Sequence, residues 1–199
     1  MTDQGMAGAL TSQRDISAGR DNIGGSQIIN SNNLDFSFKL DGEKSPIAAW
    51  MYQLEIEIST NQQVSDFIDT LQMYQARHSH DGIDGLEGKL KHAGRNKEAI
   101  DLALRKKELF QRLLTKYAMF DSAQQIFAYL LSKVEGDFRT YVLPNINGKA
   151  AHDVDVLFSQ YLIGPCADEI KSGVFCLNSA IAAGMVYWLA EQCWLRWHS

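Results

Sequence analysis

The fold class predicted by this sequence is mainly α: a helical bundle with a small Gly-rich β segment at its N-terminus. Three observations predict it. In three stretches, Val64 to Tyr74, Asn96 to Tyr117 and Asp121 to Val142, apolar residues recur every three or four positions, the period of helices with one buried face. Three of the four tryptophans, Trp188, Trp194 and Trp197, fall in the last dozen residues. Rings of that size favour burial and their indole N–H groups want acceptors, so the C-terminus is expected to dock rather than fray. Before Ser45-Pro46 the chain is instead rich in Gly, Ser and Asn, which suit turns and short strands.

Residues 1–44 therefore form one predicted unit, a partly flexible β appendage, and 45–199 a helical domain. In the appendage, Leu34 to Leu40 alternates strictly, setting Leu34, Phe36, Phe38 and Leu40 on one face of a strand. A hairpin of that size is not stable alone, so the helical body or other copies of the chain must cover it. Phe36 and Phe38 are accordingly candidate partner-binding residues, and homo-oligomerisation through this segment is expected. Ser45-Pro46 opens the helical part as N-cap and first helical position. Ile47 to Ile58 fits either period, since Trp50, Tyr52, Leu54, Ile56 and Ile58 alternate, and its setting favours helix. Val64, Phe67, Ile68, Leu71 and Tyr74 make a second amphipathic stretch. Gly82, Gly85, Gly88 and Gly94 then mark a polar connector.

Two long helices follow. Asn96 to Tyr117 carries Ile100, Leu104, Leu109, Leu113 and Leu114 inward and Arg105, Lys106, Lys107 and Arg112 outward. Asp121 to Val142 has Asp121 as expected N-cap and ends at Pro144. Ala151 to Leu162, before Gly164-Pro165, and Val174 to Trp197 complete the set.

Composition narrows the function. A net charge of -5 argues against a dedicated nucleic-acid binder. Cys166, Cys176 and Cys193 match neither a disulfide framework nor a CxxC zinc pair, and read as buried free thiols in a reducing cytoplasm. The N-terminus lacks a secretory signal pattern. The apolar run Ile181 to Ala190 falls short of the roughly 20 residues a bilayer span needs, so it reads as a buried helix.

Local strings with catalytic appearance are weak. Gly19-Arg-Asp-Asn-Ile-Gly-Gly-Ser26 approaches a phosphate-binding loop but has Gly25 where the lysine belongs. His78, His80 and Asp81 could offer metal ligands for a small hydrolase or nuclease, yet no third and fourth ligand set accompanies them. Cys193 with His198 nearby lacks the context a nucleophile needs. Arg105, Lys106, Lys107 and Arg112 could touch phosphates, but Glu98, Asp101 and Glu108 interrupt the stripe. No catalytic residue, cofactor or metal is therefore assigned.

The C-terminal half resembles the helical C-terminal domains of bacterial ABC-three-component systems, conflict or antiphage operons that include an ABC-type ATPase. The resemblance covers roughly 96–199 and is carried by Ala123 to Glu135, Phe138, Pro144 and the segment from Gly184 to Trp197. The family ending reads Gly-Met, Tyr, Cys-His, then a basic residue before Trp. Here Gly184, Met185, Tyr187, Cys193, Arg196 and Trp197 fall in register, and Trp194 stands in place of the histidine. The resemblance implies assembly with an ABC-type ATPase or a companion subunit of the operon; together with the free cysteines and the lack of a catalytic set, it leads to the expectation of a cytoplasmic, non-enzymatic interaction subunit, any contact with nucleic acid being indirect. Trp188, Trp194, Arg196 and Trp197 are its candidate partner-binding residues, with an exposed Trp197 as anchor.

Overall fold

A computed structural model describes residues 46–78, 82–170, 175 and 178–198. The expected β appendage, with Phe36 and Phe38 and the oligomerisation assigned to them, lies outside these residues, as do the Gly-rich loop, His80, Asp81 and Cys176. Among the described residues all regular structure is helical. Helix α1 spans Pro46–Thr60, α2 Asp69–Gln75, α3 Gly85–His92, α4 Lys97–Tyr117, α5 Asp121–Asp137, α6 Ala151–Phe158, α7 Gly164–Glu169 and α8 Ser179–Glu191.

Helix wins over strand in α1 because the buried positions are Ile47, Met51, Leu54 and Glu57, a helical stripe. Tyr52 and Ile56, which the alternating reading would place with the core, face solvent. The one charge on the buried face serves the next helix pair. Glu57 accepts from the Ser122 backbone N–H through Oε2 at 3.1 Å and from the Ser122 hydroxyl through Oε1 at 2.7 Å. A carboxylate from α1 thus caps the N-terminus of α5, where unpaired N–H groups and the helix dipole favour negative charge. This corrects the expected role of Asp121, which is the first helical residue, the N-cap position falling to Phe120. Burial and, secondarily, Glu57 hold the Asp121 carboxyl above its usual range.

The second amphipathic stretch is helical only from Asp69. Ahead of it, the buried Gln124 side chain organises the chain: its Oε1 accepts from the Ile68 N–H at 2.6 Å, and its Nε2 donates to the Asp66 and Ala118 carbonyls. Helix α4 begins as expected, the Asn96 side chain accepting from the Ala99 N–H at 2.8 Å. Its buried positions are Ile100, Ala103, Phe110 and Leu114, so Leu109 lies off the apolar stripe and is exposed.

Both prolines near helix ends are preceded by π turns, Phe138–Val142 before Pro144 and Ser159–Ile163 before Pro165. A proline cannot donate to the carbonyl one turn back and crowds it, and the wider turn relieves both problems. Gly164-Pro165 therefore does not end the helix, as the sequence suggested. The chain runs from α6 through the π turn into α7.

At the centre lies α8, buried on nearly every side from Ala182 to Ala190 except at Tyr187. Its close neighbour is α4. Gly184 sets the approach: a Cβ there would overlap the Lys106 carbonyl oxygen and stand 3.1 Å from Phe110 Cβ. One turn on, Trp188 meets the Phe110 ring edge-on at 5.8 Å. No helix of the described residues is long and apolar enough to cross a membrane.

Candidate functional site: a clamp on the aromatic terminus

The predicted helix to Trp197 ends early. Helix α8 stops at Glu191, and the chain turns through Cys193, whose φ of 65° is left-handed. The Cys193 N–H donates to the Ala190 carbonyl at 3.0 Å and the Trp194 N–H to Leu189 at 2.9 Å. This pair of bonds is the Schellman C-cap, normally built on glycine because a Cβ strains the left-handed residue. Cys193 therefore has a backbone role, and its sulfur lies 3.8 Å from the Glu191 carbonyl.

The turn directs the tail back along the bundle, where α3 holds it. Helix α3 stands where a polar connector is expected. Leu86 and Leu90 anchor its apolar side. Between them Lys89, only 1 % exposed, donates from Nζ to the Ala190 carbonyl at 3.0 Å and the Leu195 carbonyl at 2.8 Å. One ammonium thereby ties the last turn of α8 to the tail beyond it. Glu191 reciprocates: its Oε2 accepts from the Leu86 N–H at 2.8 Å and so caps α3. Arg77 and Lys107 lie 3.8 and 4.0 Å from the same carboxylate. Gly85, with a φ of 72°, starts α3 against Glu191 without obstructing that bond.

Each tryptophan has a place in this arrangement. Trp194 stacks on His78 at 4.7 Å and meets Tyr74 edge-on at 5.1 Å. Trp197 stacks on Phe158 at 4.5 Å and against Tyr187 at 5.9 Å. At 5 % exposure, Trp197 belongs to the core and does not offer the exposed anchor expected of it. Trp188 is likewise buried, while Trp194 and Arg196 are half-buried and line a cavity. Burial, with Asp155 adding to it, pushes the Tyr187 phenol up.

Among the described residues the other candidates do not converge. His78 stacks on Trp194, and His80 and Asp81 lie outside the described residues. Arg105 and Arg112 are exposed on α4, but Lys106 and Lys107 are half-buried, and Lys107 points to Glu191. Arg95 is taken up by α6, donating to Asp155 Oδ1 at 2.7 Å and the Ala151 carbonyl at 2.9 Å. Cys166 is a buried free thiol whose pKa burial, aided by Glu169, pushes up to about 12. Its sulfur packs 3.7 Å from that of Met185.

With the clamp in view, the family comparison acquires a physical boundary. The profile of C-terminal domain 9 of the ABC-three component (ABC-3C) systems matches residues 85–197. The chain belongs to that family. No curated protein and no solved structure matches it. The ABC-3C match begins at the first residue of α3, eleven residues before the resemblance read from sequence, and ends at Trp197, so it takes in α3, α8 and the tail but not Tyr74, Arg77 and His78. The residues that carry the resemblance have structural roles here: Gly184 in the α4 approach, Met185 in the core, Tyr187 against Trp197 and Cys193 in the turn.

Proposed function

We propose that this chain is a non-enzymatic assembly subunit of an antiphage defence complex, working with the ABC-type ATPase of its ABC-3C system. The observation that carries this reading is the outer face of α4. Leu102 and Leu109 are 52 % and 41 % exposed two turns apart, with Arg105 and Arg112 beside them. Exposed apolar side chains among charges of both signs, Asp101 and Glu108 as well as the two arginines, suit packing against a partner's amphipathic surface. The interior charges support the same reading. Glu57, Lys89 and Glu191 each bond backbone groups of another element, which makes the body a rigid platform.

The test is affinity purification of the tagged chain co-expressed with the other proteins of its system. Wild type is expected to retain one of them, and a Leu102→Glu, Leu109→Glu double variant to retain at least about tenfold less, a loss typical of disrupted hot spots. Circular dichroism and melting of the variant should match wild type, because both side chains face solvent. Retention unaffected by the double substitution would refute the α4 surface.

A further inference from the structure

The outer face of α4 is complementary to itself. Glu98, Leu102, Arg105, Leu109, Arg112 and Lys116 follow one another by alternate steps of four and three, so they form one stripe, with the spacing of a coiled-coil seam. Asp101 and Glu108 flank that stripe on the side of the arginines, and all of these residues are exposed. Among the described residues none of the charged ones is in an ion pair. Arg112 donates to the Glu108 carbonyl at 3.4 Å and Lys116 lies 4.8 Å from the centre of the Tyr117 ring, contacts that bring no carboxylate. Lys106 and Lys107 are half-buried, Lys107 towards Glu191, and Lys97 lies about 100° round the helix from Glu98, so none of the three joins the stripe.

From Glu98 to Lys116 the charges of this face run negative, negative, positive, negative, positive, positive. Reversed, the series becomes its own complement. We propose that α4 pairs antiparallel with α4 of a second copy of this chain. Centred between residues 106 and 107, the pairing brings Glu98 to Lys116, Asp101 to Arg112 and Arg105 to Glu108, each twice by symmetry, and Leu102 within a turn of Leu109 of the other copy. Flanking charges set the choice and direction of paired helices, and a parallel copy would set every charge against its like. The stems of the arginines extend the apolar strip begun by the two leucines. One helix pair buries less than the ~1,200 Å² at which standard interfaces begin, so the dimer is weak and reversible. The dimer goes beyond the assembly reading; that it yields this face to a companion subunit rests on that reading.

Sedimentation velocity of the full chain alone, from about 1 µM to about 0.5 mM, covers the range of weak affinities. Wild type is expected to pass from monomer to dimer across it. A Glu98→Lys, Asp101→Lys variant and an Arg112→Glu, Lys116→Glu variant should each dimerise at least about tenfold more weakly, since each opposes like charges at both ends of the seam. Their equimolar mixture should recover the wild-type affinity as a heterodimer, because each variant carries the complement of the other. Circular dichroism of both variants should match wild type, all four positions being exposed. Monomer at every concentration, variants that dimerise as well as wild type, or natively folded variants whose mixture is no tighter than either alone would overturn the pairing. A monomeric chain that still retains a companion subunit would remove the dimer and leave the assembly reading. A dimer that retains none would remove the assembly reading alone.

Discussion

Replacing Lys89 by methionine isolates the clamp, because methionine keeps an unbranched, flexible side chain that fills most of the same space while the ammonium is lost. Lys89 Nζ makes two hydrogen bonds to backbone carbonyls in a site 1 % exposed to solvent. Hydrogen bonds to charged groups contribute about 1.5–3 kcal/mol each, and the carbonyls of Ala190 and Leu195 would lose their ammonium partner. Relief of the ammonium's own desolvation offsets part of that sum. The net expectation is a loss of about 3 kcal/mol, from stabilities that run at about 5–15 kcal/mol for native domains. At roughly 2–4 °C per kcal/mol for chains of this size, the melting midpoint should fall by roughly 6–12 °C. Urea unfolding followed by tryptophan fluorescence measures the loss, and ring contacts of Trp194 and Trp197 should loosen first. A change within the ±0.5 kcal/mol usual for surface positions would refute the clamp.

Substitutions at three further positions probe the close helix approach, the left-handed cap and the buried carboxyl. Gly184→Ala should destabilise by about 3 kcal/mol, the upper range for overpacking, since the new methyl meets the Lys106 backbone; a urea midpoint like wild type would contradict the close approach. At Cys193 the left-handed backbone predicts that glycine is tolerated within about 1 kcal/mol whereas valine costs about 2 kcal/mol, and equal midpoints would rule out the strained cap. Asp121 gives a pH dependence. Its carboxyl is held above the usual value by burial first and Glu57 second, so the folded state binds the proton more tightly than the unfolded state. Stability therefore falls as pH rises from the ordinary aspartate value through the raised one. Asp121→Asn should gain stability relative to wild type above that window and show no such gain below it, as read from urea midpoints across pH; a gain constant with pH would contradict this.

The long helices were legible because their signals are local. Asn96 caps α4 through its own side chain, and α5 carries an unbroken apolar stripe to Val134. What was missed depends on partners far along the chain. Helix α3 contains Gly85 and Gly88 and little apolar surface, so local propensity reads it as connector. It is held by Glu191 at Leu86 and by the bonds of Lys89, across separations of more than a hundred residues. The pairing of Leu86 with Leu90 one turn apart was the available signal. The end of α8 was obscured for a related reason: Cys193 occupies a position where glycine would have announced the stop. Pro165 misled in the opposite sense, since a π turn carries the chain past it. For the site, burial of the tryptophans followed from their size, but which faces remained for partners did not. The indoles were filled by Phe158, Tyr187, His78 and Tyr74, leaving α4 outward.

Light scattering on a size-exclusion column tests assembly most directly, with the chain co-expressed with the ABC-type ATPase and companion subunit of its system. One peak of defined mass containing this chain and another component is expected, and loss of that peak in the Leu102→Glu, Leu109→Glu variant. Separate elution of wild-type chain and partners at micromolar concentration would contradict it.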